Sequence, residues 1–158
     1  MIETTDQAFA EAIRAAVAER GEDYVYPREW RMGNATSADL DRPQARGTCR
    51  YARPDGVQGG ACIIGAALQR VGVHVTDLFE LDATAPGAES ALAATVTGLS
   101  PRMIGAASTA QSHQDRELSW GLALEAFERE LRIRDEHGDW FTCEEHGGAM
   151  TQDCDCEP

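Results

Sequence analysis

Apolar residues recur at helical spacing along much of the chain. Between Thr4 and Arg20, Phe9, Ile13 and Val17 form one stripe with Ala12 and Ala16 beside it. A helix is predicted there, with Thr4 and Gln7 as a capping box and Gly21 as its stop. Ala61, Ile64, Gly65 and Leu68, widened by Ile63 and Val71, predict a short buried helix ending at Gly72. Glycine inside that helix costs about 1 kcal/mol relative to alanine, so a close approach of another helix is expected at Gly65. One or two helical turns are predicted from Thr76 to Leu81, followed by a turn region from Asp82 to Gly87. Ala88, Leu92 and Val96 line one face of a further helix, opened by Pro86 and ended by Gly98. Ser100-Pro101 then caps and starts a helix that buries Met103, Ile104, Ala107 and Ala110. The last stripe is Trp120, Ala123, Leu124, Phe127 and Leu131, stopped by Gly138. Its outer face carries Glu125–Arg129, Glu128–Arg132 and Glu130–Arg134 at the four-residue spacing that favours ion pairs. This helix is expected to pack on the first helix and on Ala61–Val71.

Two stretches read differently. Thr48 to Arg53 alternates apolar and polar residues and runs into Pro54-Asp55-Gly56, a turn sequence, with Val57 to Ala61 as a return strand weakened by Gly59-Gly60. Glu22 to Gly47 holds a brief extended segment around Tyr24 and Tyr26, then Trp30, then a polar loop from Gly33 to Arg46. Tyr24, Tyr26 and Trp30 make either a contact patch or a lid over the core. The predicted fold is mainly α. It is a compact helical domain of about four to five helices over residues 1–138, with one small β-hairpin near 48–61 and an irregular, acidic Cys/His-rich tail over 139–158.

The pattern C-R-Y, a P-D-G turn, then C-I-I-G-A-A-L-Q-R-V-G resembles small uncharacterised proteins of actinobacteria and their phages. Ala110-Gln111, Gln114-Asp115 and Trp120-Gly121 are similar to the later part of the same group. The resemblance spans the middle two-thirds of the chain and leaves out the tail. It implies a source, viral or actinobacterial, and no catalytic residues.

Charge sharpens the picture. The chain carries a net charge of −13, with fourteen arginines and no lysine. Eight acidic residues and no arginine fall between Asp135 and Pro158, so the stretch from Asp135 onward holds most of the excess. Such a balance argues against direct nucleic-acid binding through a basic face and against anionic membranes. No apolar run approaches the roughly 20 residues that span a bilayer, and the first residues lack a signal-peptide layout. The expected location is the cytoplasm, or the host cytoplasm for a phage product, where cysteines serve as thiols or metal ligands more often than as disulfides.

Candidate chemistry is sparse. Cys49 and Cys62 read as a metal or redox pair, or as two small apolar residues packed near one another. His113 and Asp115 are two apart, a spacing that does not face both along one helix side. In the tail, Cys143 and His146 form a C-x-x-H step and Cys154 and Cys156 a C-x-C step. Two thiolates, a third thiolate and an imidazole are the donor set of a closed, structural zinc site, which is the one cofactor expected. A disordered acidic terminus and an oxidised or reactive cysteine cluster are the rival readings of the same residues.

Three functions follow from this reading. The first is a non-enzymatic interaction or regulatory protein with a protein partner. The second is an acidic DNA mimic whose carboxylates occupy a DNA-binding protein. The third is a cysteine-dependent enzyme using Cys49 or Cys62 with His74 or His113. Cys62 near a predicted helix N-terminus is the feature that favours it.

Overall fold

A computed structural model of the chain describes residues 1–27, 50–55, 59–84 and 87–137, apart from the side chains of 134–137. The described residues are mainly helical, as the periodicity predicts. Strand β1 (Ile2–Glu3) precedes helix α1 (Asp6–Arg20). Four helices follow, namely α2 (Ile63–Arg70), α3 (Val75–Thr84), α4 (Ala88–Thr95) and, after strand β2 (Val96–Thr97), α5 (Pro101–Asp115). Helix α6 (Trp120–His137) closes the described chain. The sixth helix beyond the expected four to five is α3, which runs ten residues where one or two turns were expected.

Helix α1 buries Phe9, Ile13 and Val17 with Ala12 and Ala16, and Gly21 ends it at φ 95°, donating its N–H to the Val17 carbonyl. Its cap is Thr5, whose hydroxyl accepts from Ala8 N–H at 3.2 Å; the predicted Thr4 is displaced from that role. The reason is β1. Ile2 and Glu3 pair in parallel with Val96 and Thr97, and Thr4 N–H continues the pairing to the Thr97 carbonyl at 3.0 Å. Thr4 is thereby extended and buried, and the helix begins one residue later.

The two-stranded sheet ties the start of the chain to the α4–α5 junction. Gly98 sits at φ 89°, where an added Cβ would lie 2.4 Å from the Thr4 carbonyl oxygen, so only glycine lets the strands close. Beside it, the Asp6 carboxylate accepts from Ser100 N–H at 2.9 Å and Ser100 Oγ–H at 2.5 Å, while Ser100 Oγ accepts from Met103 N–H at 3.2 Å. One carboxylate therefore joins the N-termini of α1 and α5, where helix dipoles favour negative charge.

The core is one cluster. Helix α5 lies along α6 and α4, α2 packs on α1 and α5, and α6 also meets α1. Trp120, Tyr26, Tyr51, Phe9 and Phe127 are its largest fully buried side chains. Each such side chain contributes about 1.5–3 kcal/mol through burial. The expected packing of the last helix on the first is present; its expected packing on Ala61–Val71 is not among the main contacts, and α5 is the helix that meets both α2 and α6. On the outer side of α6, Glu128 pairs with Arg14 of α1 at 2.9 Å instead of with Arg132.

Of the stretch expected as a hairpin, residues 50–55 and 59–61 are described, and they form no strand ladder. Ala61 N–H bonds the Tyr51 carbonyl at 2.8 Å and Cys62 N–H bonds the Arg50 carbonyl at 3.1 Å. Gly65 is indeed a point of close approach, but of backbone and not of a helix. An added Cβ would lie 2.1 Å from the Tyr51 carbonyl oxygen.

Candidate functional site

Several buried and half-buried polar groups meet around α2. They involve six side chains, Arg20, Tyr26, Cys62, Gln69, Asp82 and Gln114. Asp82, on α3, accepts from Tyr51 N–H at 2.5 Å and also from Ala52 N–H. Burial pushes its carboxyl above the ordinary value of 3.8, against the opposing pull of those two N–H groups and of Arg50. From the other side, Arg50 N–H donates to the buried Tyr26 hydroxyl at 3.2 Å. The loop is thus fixed through its backbone.

Gly59 and Gly60 come next, at φ 117° and 59°. Gln69 Oε1 accepts from both of their N–H groups, at 2.7 Å for Gly60. Arg20 Nη2 donates to both of their carbonyls, at 3.0 and 2.7 Å. The same guanidinium donates through Nη1 to the Tyr24 hydroxyl at 3.0 Å. It also lies 5.1 Å from the Tyr24 ring and 5.2 Å from the Trp120 ring, which meet edge-on at 5.0 Å. Such stacking adds to a planar, five-donor group what an ammonium cannot supply. Both amide N–H groups of the diglycine are taken by Gln69, so this turn is a structural joint and no anion cradle.

At the start of α2, Cys62 is the cap, its Sγ accepting from Gly65 N–H at 3.3 Å. Ile63 N–H donates to Gln114 Oε1 at 2.8 Å, across from α5, and Gln114 is fully buried. The thiol of Cys62 is itself fully buried. Its sulfur is occupied as an acceptor at the place where a reactive thiolate would need to be exposed. His74 Nδ1 accepts from Thr76 N–H at 3.3 Å and sits 2.8 Å from Thr76 Oγ1. His113 Nδ1 sits 3.0 Å from the Thr109 carbonyl oxygen, as a donor to it. Neither contact brings an imidazole to Cys62. Cys49 lies outside the described residues.

Two shallow grooves flank Arg70, which is paired with Glu19. One, of about 360 Å³, is lined by residues that include Gln69, Val73 and His74; the other, of about 380 Å³, by Thr4, Ala8, Glu11 and Ala15 among others. The predicted zinc ligands Cys143, His146, Cys154 and Cys156 all lie outside the described residues. Among the described residues no group of three or more His, Cys, Asp or Glu side chains is placed to hold a metal ion.

Sequence reading missed Arg20, Gln69, Asp82 and Gln114. A signal existed for the last. Met103, Ala107, Ala110 and Gln114 share one helical spacing, so Gln114 continues the buried stripe into the polar run. Of the aromatic trio, Tyr26 is buried and Tyr24 packs on Trp120, as a lid would; Trp30 is outside the described residues. Compared with known proteins, the chain matches no family model, no curated protein and no solved structure.

Proposed function

We propose that the chain is a non-enzymatic interaction or regulatory protein, of actinobacterial or phage origin, that works in the cytoplasm by binding another protein. One observation carries this reading. The side chains best suited to chemistry are spent on the scaffold: Cys62 caps α2, Asp82 and Gln114 accept backbone N–H groups, and Arg20 and Gln69 hold the diglycine turn. What remains for function is surface. No helix among the described residues is long and apolar enough to cross a membrane. In the same proposal the tail is clipped by one structural zinc on Cys143, His146, Cys154 and Cys156.

The test is affinity capture from an actinobacterial lysate, followed by reconstitution of each captured protein with the purified chain. A protein that re-forms a defined complex by size-exclusion chromatography and calorimetry supports the proposal. Failure of every captured protein to re-associate overturns it. Competition of such a complex by duplex DNA, weakening steeply with salt, would instead mark the acidic-mimic mode of binding.

A further inference from the structure

Helix α6 leaves one side to solvent. Leu122 is 47% exposed and Ile133 42% exposed, both large apolar side chains. They lie on one line of the helix, about three turns or 16 Å apart. Arg129 sits on the same line between them, with Glu125 and Arg132 just to one side, all partly or fully exposed. Of the i,i+4 pairs expected here, Glu125–Arg129 and Glu128–Arg132 do not form, and the Arg134 side chain of the third lies outside the described residues. Glu128 turns to Arg14, and among the described residues Glu125, Arg129 and Arg132 make no ion pair. The outward face therefore combines two apolar anchors with unpaired charges of both signs.

That arrangement is self-complementary. We propose that the α6 face binds a second copy of this chain, in an antiparallel, two-fold pairing of helix on helix. A two-fold axis midway between Leu122 and Ile133 sets Leu122 of each copy against Ile133 of the other. The same axis places Glu125 of each copy beside Arg129 and Arg132 of the other. A parallel pairing would set Glu125 on Glu125, Arg129 on Arg129 and Arg132 on Arg132; the antiparallel axis also brings the two Arg129 within about 4.5 Å along the helices, but it sets each beside a Glu125 of the other copy, so charge favours the antiparallel arrangement. An isologous surface of this kind closes at two copies and cannot propagate into a fibre. One helix face buries less than the 1,200–2,000 Å² or so of standard interfaces, so the dimer is weak and exchanges rapidly. The inference does not depend on the proposed function.

Sedimentation equilibrium of the full chain tests it. The weight-average mass should rise from 17.1 kDa toward twice that value as concentration climbs into the hundreds of micromolar. Leu122→Glu and Ile133→Glu should each hold the mass at the monomer value, with helical circular dichroism unchanged because both side chains are exposed. Glu125→Arg alone, and Arg129→Glu with Arg132→Glu in one chain, should each weaken association at least about tenfold. An equimolar mixture of those two variants should recover it, since each then faces its opposite charge. A monomer at every concentration overturns the proposal. So does a Leu122→Glu chain that dimerises like the wild type, or a mixture that associates no better than its components.

Discussion

Replacing Gly65 with alanine tests whether the Tyr51 backbone governs the packing of α2. In an exposed helix the change would stabilise by about 1 kcal/mol. Here the new Cβ would stand 2.1 Å from the Tyr51 carbonyl oxygen and 2.8 Å from its carbonyl carbon and Cα, whereas ordinary contact begins near 3.4 Å. The loop or the helix must yield by more than 1 Å. Tyr51 is poorly placed to yield, because its carbonyl accepts from Ala61 N–H at 2.8 Å and its N–H donates to Asp82 at 2.5 Å. A shift of that size stretches both bonds past their useful range. Two weakened bonds cost about 1 kcal/mol each, and overpacking adds about 1–3 kcal/mol. Set against the helical gain, a net loss of about 2–4 kcal/mol is expected.

Urea unfolding followed by far-ultraviolet circular dichroism reads this as a fall in midpoint at constant slope. Gly87→Ala is the matched control. No atom lies within 4 Å of its added Cβ, and it precedes α4 with an extended backbone, so its loss should stay within about 0.5 kcal/mol. A Gly65→Ala protein as stable as the wild type, or no less stable than the Gly87→Ala control, would refute the reasoning.

Other perturbations probe the remaining joints. Gln114→Leu leaves Ile63 N–H buried without its acceptor and should cost about 1–3 kcal/mol in the same unfolding assay. Asp82 has its carboxyl raised above 3.8 in the folded chain, so its contribution to stability is fully present below pH 3.8 and is lost as pH rises through the higher folded value. Asp82→Asn should remove that component of the pH dependence, seen as a flatter plot of urea midpoint against pH above 3.8. Arg20→Lys keeps the charge but cannot span Tyr24, Gly59 and Gly60 together, and should cost about 1–3 kcal/mol and alter the near-ultraviolet circular dichroism of Trp120. Elemental analysis of untagged protein should find one zinc per full-length chain and none in a chain ending at Asp139; no metal in either would dismiss the zinc proposal.

The helices were legible where a repeating stripe met a stop signal. Phe9, Ile13 and Val17 before Gly21, and Ser100-Pro101 before Met103, needed nothing beyond local periodicity and capping. The two-residue strands were not, because alternation needs several residues to register and Ile2–Glu3 and Val96–Thr97 are too short to show a period. That pairing, invisible in the sequence, then moved the α1 cap from Thr4 to Thr5. At Gly65 the sequence announced crowding and could not name the neighbour, since a carbonyl fourteen positions away leaves no trace in a side-chain pattern.

The interior polar joints show the same limit more sharply. Gln114 lies on the stripe of Met103, Ala107 and Ala110, so its burial could be read from spacing. Its partner could not, because a buried amide oxygen needs a donor and any unpaired backbone N–H in the chain qualifies. The fold supplies Ile63, the first residue of α2 and a group that every helix start leaves unpaired. Cys62 and Gln69 follow the same logic at the neighbouring N–H groups of Gly65 and of the two glycines. Residue types that suggest chemistry on paper are thus drawn inward to answer backbone donors. The ungoverned charges are left on the outer face of α6, where Glu125, Arg129 and Arg132 have no such duty and an interaction surface can form at little cost to the scaffold.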